Sequence, residues 1–128
     1  PPPPALLASL PSPTVYLWTD APDPIPMQAA ITADPPDQTL ETVCDMAHPS
    51  IAGIAKLTAA GSDTVTVAAS TDGGAHYTEG LPLPHFLEQD TAALWQSLPT
   101  DHRLQLRFTL HGTDTLSWLK FSFINEGD

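Results

Sequence analysis

The chain has 128 residues, with 15 acidic side chains against 4 basic ones, a formal net charge of −11 and a single cysteine. That length makes one ordinary domain, able to bury roughly two thirds of the surface its unfolded chain exposes. The charge excludes nucleic acid and anionic membrane as natural partners, because both are bound through Lys and Arg, and the lone Cys44 excludes an intrachain disulfide.

Three further features bear on setting. No apolar run approaches the ~20 residues of a membrane span. The N-terminus lacks the basic region that opens a signal peptide, and a lone cysteine suits a reducing compartment such as bacterial cytoplasm. The chain starts at Pro1 without an initiator Met, so it reads as a piece of a longer polypeptide or as a processed chain.

Eleven of the 15 prolines lie in residues 1–36, which hold no Lys or Arg. Residues 1–13 (PPPPALLASLPSP) predict an extended, polyproline-like lead-in, and residues 14–128 a single domain. DAPDPIP (20–26) and DPPD (34–37) predict turns. Between and after them, TVYLWT (14–19), MQAAIT (27–32), TLETVCD (39–45) and IAGIAKLTAA (51–60) are strand candidates. The last has helical alanine content, but Gly53, Gly61 and the strand that follows favour extended structure.

From residue 64 the alternation is clear. TVTVAAS (64–70) puts Val65 and Val67 on one face. DTAALWQSL (90–98) predicts a helical turn with Asp90 as N-cap. RLQLRFTL (103–110) sends Leu104, Leu106, Phe108 and Leu110 one way and Arg103, Gln105, Arg107 and Thr109 the other. TLSWLKFSFI (115–124) does the same with Leu119, Phe121 and Phe123 against Trp118, Lys120 and Ser122. A period of two over these lengths means half-buried strands. The short polar HGTD (111–114) predicts a hairpin between the last two. Together these segments predict an all-β fold: a two-sheet antiparallel β-sandwich, jelly-roll-like, behind its proline-rich lead-in.

STDGGAHYT (70–78) follows a strand without a break. Asp-Gly and Gly-Gly are hairpin formers, because Gly accepts the positive φ of tight turns. Ser70, Asp72, Gly74 and Tyr77 resemble the Asp-box of sialidase-type propellers, with Tyr77 where Trp is usual. The resemblance implies a structural turn in which the Asp carboxylate caps the hairpin's own amides and the aromatic packs beneath it.

A wider resemblance covers residues 64–124. A strand ending in STDGG, the Ser97-Leu98-Pro99 turn, a long alternating strand and the final TLSWLKFSF are similar to β-sandwich modules of bacteriophage tail and tail-fibre proteins, and to galactose-binding-like, carbohydrate-binding sandwiches. This implies a non-catalytic virion-associated or cell-surface module, assembled in bacterial cytoplasm, that either supports assembly with sister subunits or other virion proteins, as an oligomer, or holds host-surface glycan. The alternative it implies is an extracellular carbohydrate-binding module of a secreted glycoside-active enzyme.

The chemistry-bearing residues point the same way. Cys44 and His48 have i, i+4 spacing, but Pro49 opposes the helix that would align them, and two ligands fall short of a structural zinc. His85, His102 and His111 read as solvated loop residues. Glu79, Glu88 and Asp90 are candidates for paired-carboxylate chemistry by type alone; no nucleophile elbow or phosphate-binding glycine loop is present. The chain therefore reads as no enzyme, with no metal site. Calcium is the one cation the acidic turns could take, through their oxygens. For a ligand, Trp118 with Arg107 and Lys120, together with Trp95, would offer π faces and hydrogen-bond donors to a sugar. Trp18, like Trp95, sits at an element end.

Overall fold

The computed structural model describes residues 8–9, 17–19, 27–34, 37–47 and 49–126, and the side-chain surroundings of 39–47, 49–116 and 118–126. The turn at 20–26, most of the 1–13 lead-in, residues 14–16 and His48 lie outside the described residues. The described chain forms β1 (Ala8–Ser9), β2 (Leu17–Thr19), β3 (Met27–Asp34), β4 (Asp37–Asp45), β5 (Ile51–Gly61), β6 (Thr66–Ser70), β7 (Leu81–Pro82), α1 (Leu83–Leu87), α2 (Thr91–Ser97), β8 (Arg103–His111) and β9 (Thr115–Asn125).

These strands make the expected two-sheet β-sandwich. One sheet runs β3-β4-β8-β6-β7. In the other, β9 pairs with β5 along one edge and with β1 and β2 along the other. Every pairing is antiparallel except β2 with β9, which is parallel. β3 and β4 pair down to Asp34↔Asp37; Pro35 and Pro36, at the centre of the DPPD turn reading, lie outside the described residues.

Alternation decides what goes inside. Along β8, Leu104, Leu106, Phe108 and Leu110 are at most 2% exposed, while the residues between them face outward. On β4, Leu40, Thr42 and Cys44 take the inner positions. Across the core they meet Ile51, Ile54 and Leu57 of β5 and Leu116, Leu119, Phe121 and Phe123 of β9. Fully burying each such side chain contributes roughly 1.5–3 kcal/mol, enough in aggregate to hold two sheets face to face. Cys44 belongs to this layer. Burial pushes its thiol up to about 12, against the opposing effect of the Thr42 hydroxyl 3.4 Å away, and a thiol in that state is inert.

The expected hairpin at 111–114 does not form. β8 and β9 lie in different sheets, and HGTD is an arch that carries the chain across the core. Gly112 takes φ 59°, a conformation glycine adopts without strain. Asp114 closes the arch: its amide donates to the His111 carbonyl (2.9 Å) and its Oδ2 accepts from the His111 amide (2.9 Å). The β5–β6 link is a second crossing beside the first. The Ser62 amide donates to the Thr115 carbonyl, the Thr115 amide to the Ser62 hydroxyl, and the Thr64 hydroxyl to Asp114. A hairpin would have placed the inward faces of β8 and β9 side by side; the arch sets them opposite each other, which is how both alternations find apolar partners.

The β5–β9 pair is irregular. Its register shifts between Ile51 and Gly53, between Ile54 and Lys56, and between Ala60 and Gly61. The last shift leaves Ser117 as the extra residue on β9, so Leu116 and Leu119 are both buried although an unbroken strand would point them opposite ways.

The open side between β5 and the β6–β7 edge is closed by the helices. α2 packs against β5, and α1 against β5, β6 and β7. Leu83, Phe86 and Leu98 complete the core there, with Leu87, Leu94 and Trp95 packed against it. Asp90 caps α2 as expected, accepting from the amides of Ala92 (3.0 Å) and Ala93 (3.2 Å). α1 was not expected. Pro84 stands in its first turn, where a helix needs no amide from it. His85 is therefore helical, though exposed as a loop residue would be.

Candidate functional site

Residues 70–78, the end of β6 and most of its link to β7, hold themselves in shape. Gly73 (φ 76°) and Gly74 (φ 90°) turn the chain. The Ser70 hydroxyl donates to Asp72 Oδ1 (2.7 Å) and accepts from the Gly74 amide (3.0 Å). The Asp72 carboxylate accepts from the His76 amide (2.9 Å) and meets the His76 Nδ1 (2.6 Å). At the base, the Thr78 amide donates to the Ala69 carbonyl and the Ala69 amide to the Thr78 hydroxyl. The Ser70 bond, then those from His76, hold the Asp72 carboxyl far below the ordinary carboxylate range, so it is ionised near neutrality. A β-carbon on Gly74 would come 2.8 Å from Gln105 Oε1, which ties the turn's second glycine to the strand beneath.

The Tyr77 ring lies against Arg107, a strand residue, rather than in any contact shown with Asp72. The Arg107 guanidinium carbon sits 4.0 Å from the Tyr77 ring centre, a cation–π contact. Arg107 pairs with Glu41 on β4 and Ala68 on β6 along the outer face of their sheet. Burial, helped by Glu41, raises the Tyr77 phenol above its ordinary value. Ala68 faces outward too, yet is only 7% exposed.

Between this turn and the helices lies a groove of about 690 Å³. Phe86, Leu81 and Leu94 supply apolar lining, and Asp72, His76, Glu79 and Asp90 supply charge or polarity. The volume falls in the range of ligand pockets, ~300–1,000 Å³. Glu79 and Asp90 therefore share a cleft, with Oδ1 of Asp90 engaged as the α2 cap. Glu88 ends α1 as its C-cap. Among the described residues no group of three or more His, Cys, Asp or Glu side chains gathers that could hold a metal ion, and no helix is long and apolar enough to cross a membrane.

The expected sugar-contacting residues do not converge. Trp118 and Lys120 alternate with the buried Leu119 and Phe121, so they project from the outer side of the β5–β9 sheet. Arg107 projects from the outer side of the other sheet, beneath Tyr77. The core separates them. Trp95, on α2, stacks on His102 at 4.3 Å between ring centres and 11° between planes. His102 is thus a packing residue: it is half-buried, holds φ 47°, and its carbonyl accepts from the Met46 amide. His111 ends β8 with its backbone tied to Asp114. The side chain of Trp18 lies outside the described residues.

Sequence reasoning missed His76 as part of the turn and Phe86 as part of the groove. His76 could have been found from its i, i+4 spacing to Asp72. Phe86 could not, because the helix that carries it begins on two prolines. No protein-family model, curated protein or solved structure matches the chain.

Proposed function

We propose that the chain is a non-catalytic contact module, a rigid sandwich that works by presenting a fixed surface to another protein, in the setting of a phage-like tail or tail fibre that residues 64–124 resemble. One observation carries this reading. The most reactive-looking cluster, Ser70, Asp72 and His76, directs its hydrogen bonds to its own turn and so stiffens one wall of a groove. A preorganised wall loses little conformational freedom on binding. Glycan contact is the weaker reading, because Trp118 and Lys120 stand on one side of the core and Arg107 on the other.

Size-exclusion chromatography with light scattering tests this. The reading expects an oligomer, or a complex once the proteins encoded beside this chain are added. A stable monomer that is retarded on immobilised polysaccharide, and loses that retardation in Trp118→Ala, overturns it.

A further inference from the structure

The chain's four basic residues are Lys56, Arg103, Arg107 and Lys120. None falls between residues 57 and 102, the stretch that supplies the described lining of the groove. The same stretch holds Asp63, Asp72, Glu79, Glu88, Asp90 and Asp101. The groove's own lining is therefore apolar and acidic, with Arg107 stacked on the lining Tyr77. His76 is the sole basic type among its lining residues, and it is bound to Asp72. Leu81 is 36% exposed there, one of two large apolar side chains so exposed among the described residues.

We infer that this groove takes a basic, amphipathic peptide segment of a partner protein, with its apolar side chains on Phe86, Leu81 and Leu94 and its Lys or Arg groups against Glu79, Asp72 and Asp90. The occupant follows from charge. A second copy of this chain brings another net −11 and few cations, so it is disfavoured as the occupant of this acidic groove. A small inorganic cation has no use for the apolar lining, and a polyanion has none for the acids. A Lys or Arg side chain suits both, because its stem packs on apolar surface while its head reaches a carboxylate. The wall that meets it is stiff, and the permanent charge on Asp72 needs no change on binding. This inference rests on the contact-module reading and names the chemistry of its partner.

The probe is a fluorescein-labelled peptide, Lys-Lys-Leu-Leu-Lys-Lys, followed by fluorescence anisotropy against the full chain. Controls carry Glu for each Lys, or Ser for each Leu. The inference expects binding of the first peptide alone, weakening as salt is raised through the range where charges become screened. Glu79→Lys and Leu81→Ser should each weaken it about tenfold, since charge reversal and loss of an apolar contact both act at the seat of the ligand. Trp118→Ala should leave it unchanged. Both groove positions are exposed, and circular dichroism of each variant confirms that it folds. Equal binding of the Glu peptide, or unchanged affinity in Glu79→Lys, overturns the inference. If no peptide binds while light scattering still shows assembly, the groove inference falls and the contact-module reading stands. A monomer retained on polysaccharide overturns that reading instead, even where the peptide binds.

Discussion

In the β4–β8 pair, nine residues face nine without a slip, from Asp37↔His111 to Asp45↔Arg103. In the β5–β9 pair the register shifts three times. Both pairs bury one face against the same core, but they do so differently. β4 and β8 alternate, so their inner residues stand two apart. On β5 the inner apolar residues are Ile51, Ile54 and Leu57, three apart, because a bulge resets the phase between each and the next. The difference teaches that a spacing of three can belong to a bulged strand, even though the same spacing on a ribbon of alanines suggests a helix. Bulges also add twist, which suits a pair flanked by helices on one edge and by β1 and β2 on the other.

Three substitutions probe that contrast. Phe108→Ala strikes the regular pair at its centre, where Phe108 sits between Leu40 and Val67 at 0% exposure. Removing a buried aromatic costs about 3–5 kcal/mol, a large share of the 5–15 kcal/mol typical of a domain. Urea denaturation should show the midpoint fall accordingly; a loss under ~1 kcal/mol would mean that β8 does not face the core as described.

Gly61→Ala strikes the irregular pair at its last shift. A β-carbon there would lie 2.9 Å from Leu116 Cδ1, 3.0 Å from the Thr115 carbonyl oxygen and 3.2 Å from Leu83 Cδ2. Forcing a methyl into such a site costs about 1–3 kcal/mol. The same measurement reads it, and a neutral result would show that the bulged edge has slack the close approach denies. Thr42→Val is the mildest of the three. Its buried hydroxyl meets the Cys44 thiol, a weak partner. Replacing it by a methyl should change stability by less than ~1 kcal/mol in either direction; a larger loss would reveal a stronger hydrogen bond inside the regular sheet.

Much of the fold was legible, and for identifiable reasons. β8 was readable over its whole length because Leu104, Leu106, Phe108 and Leu110 leave no other period. Asp90 was readable as a cap because a carboxylate before Thr91 and two alanines has amides to accept from. The turn at 70–78 was readable because Gly73 and Gly74 stand where positive φ is required, and its Asp72 accepts from an amide of its own turn. The candidate site was less legible. Its walls come from the turn, β7 and two helices, and α1 was hidden by Pro84. The proposed sugar platform failed to assemble because alternation tells which residues share a face of one strand, but not which strands share a sheet.

The residues alone determined which side chains go inside, where the chain turns and how acidic the result is, since these depend on local period, backbone freedom and count. Only the tertiary structure decided that 111–114 is an arch, that Ser117 resets β9, and that Glu79 and Leu81 share a groove with Phe86. Those are choices between pairings of equal local merit, and they are settled by which arrangement gives both inward faces an apolar partner across the core.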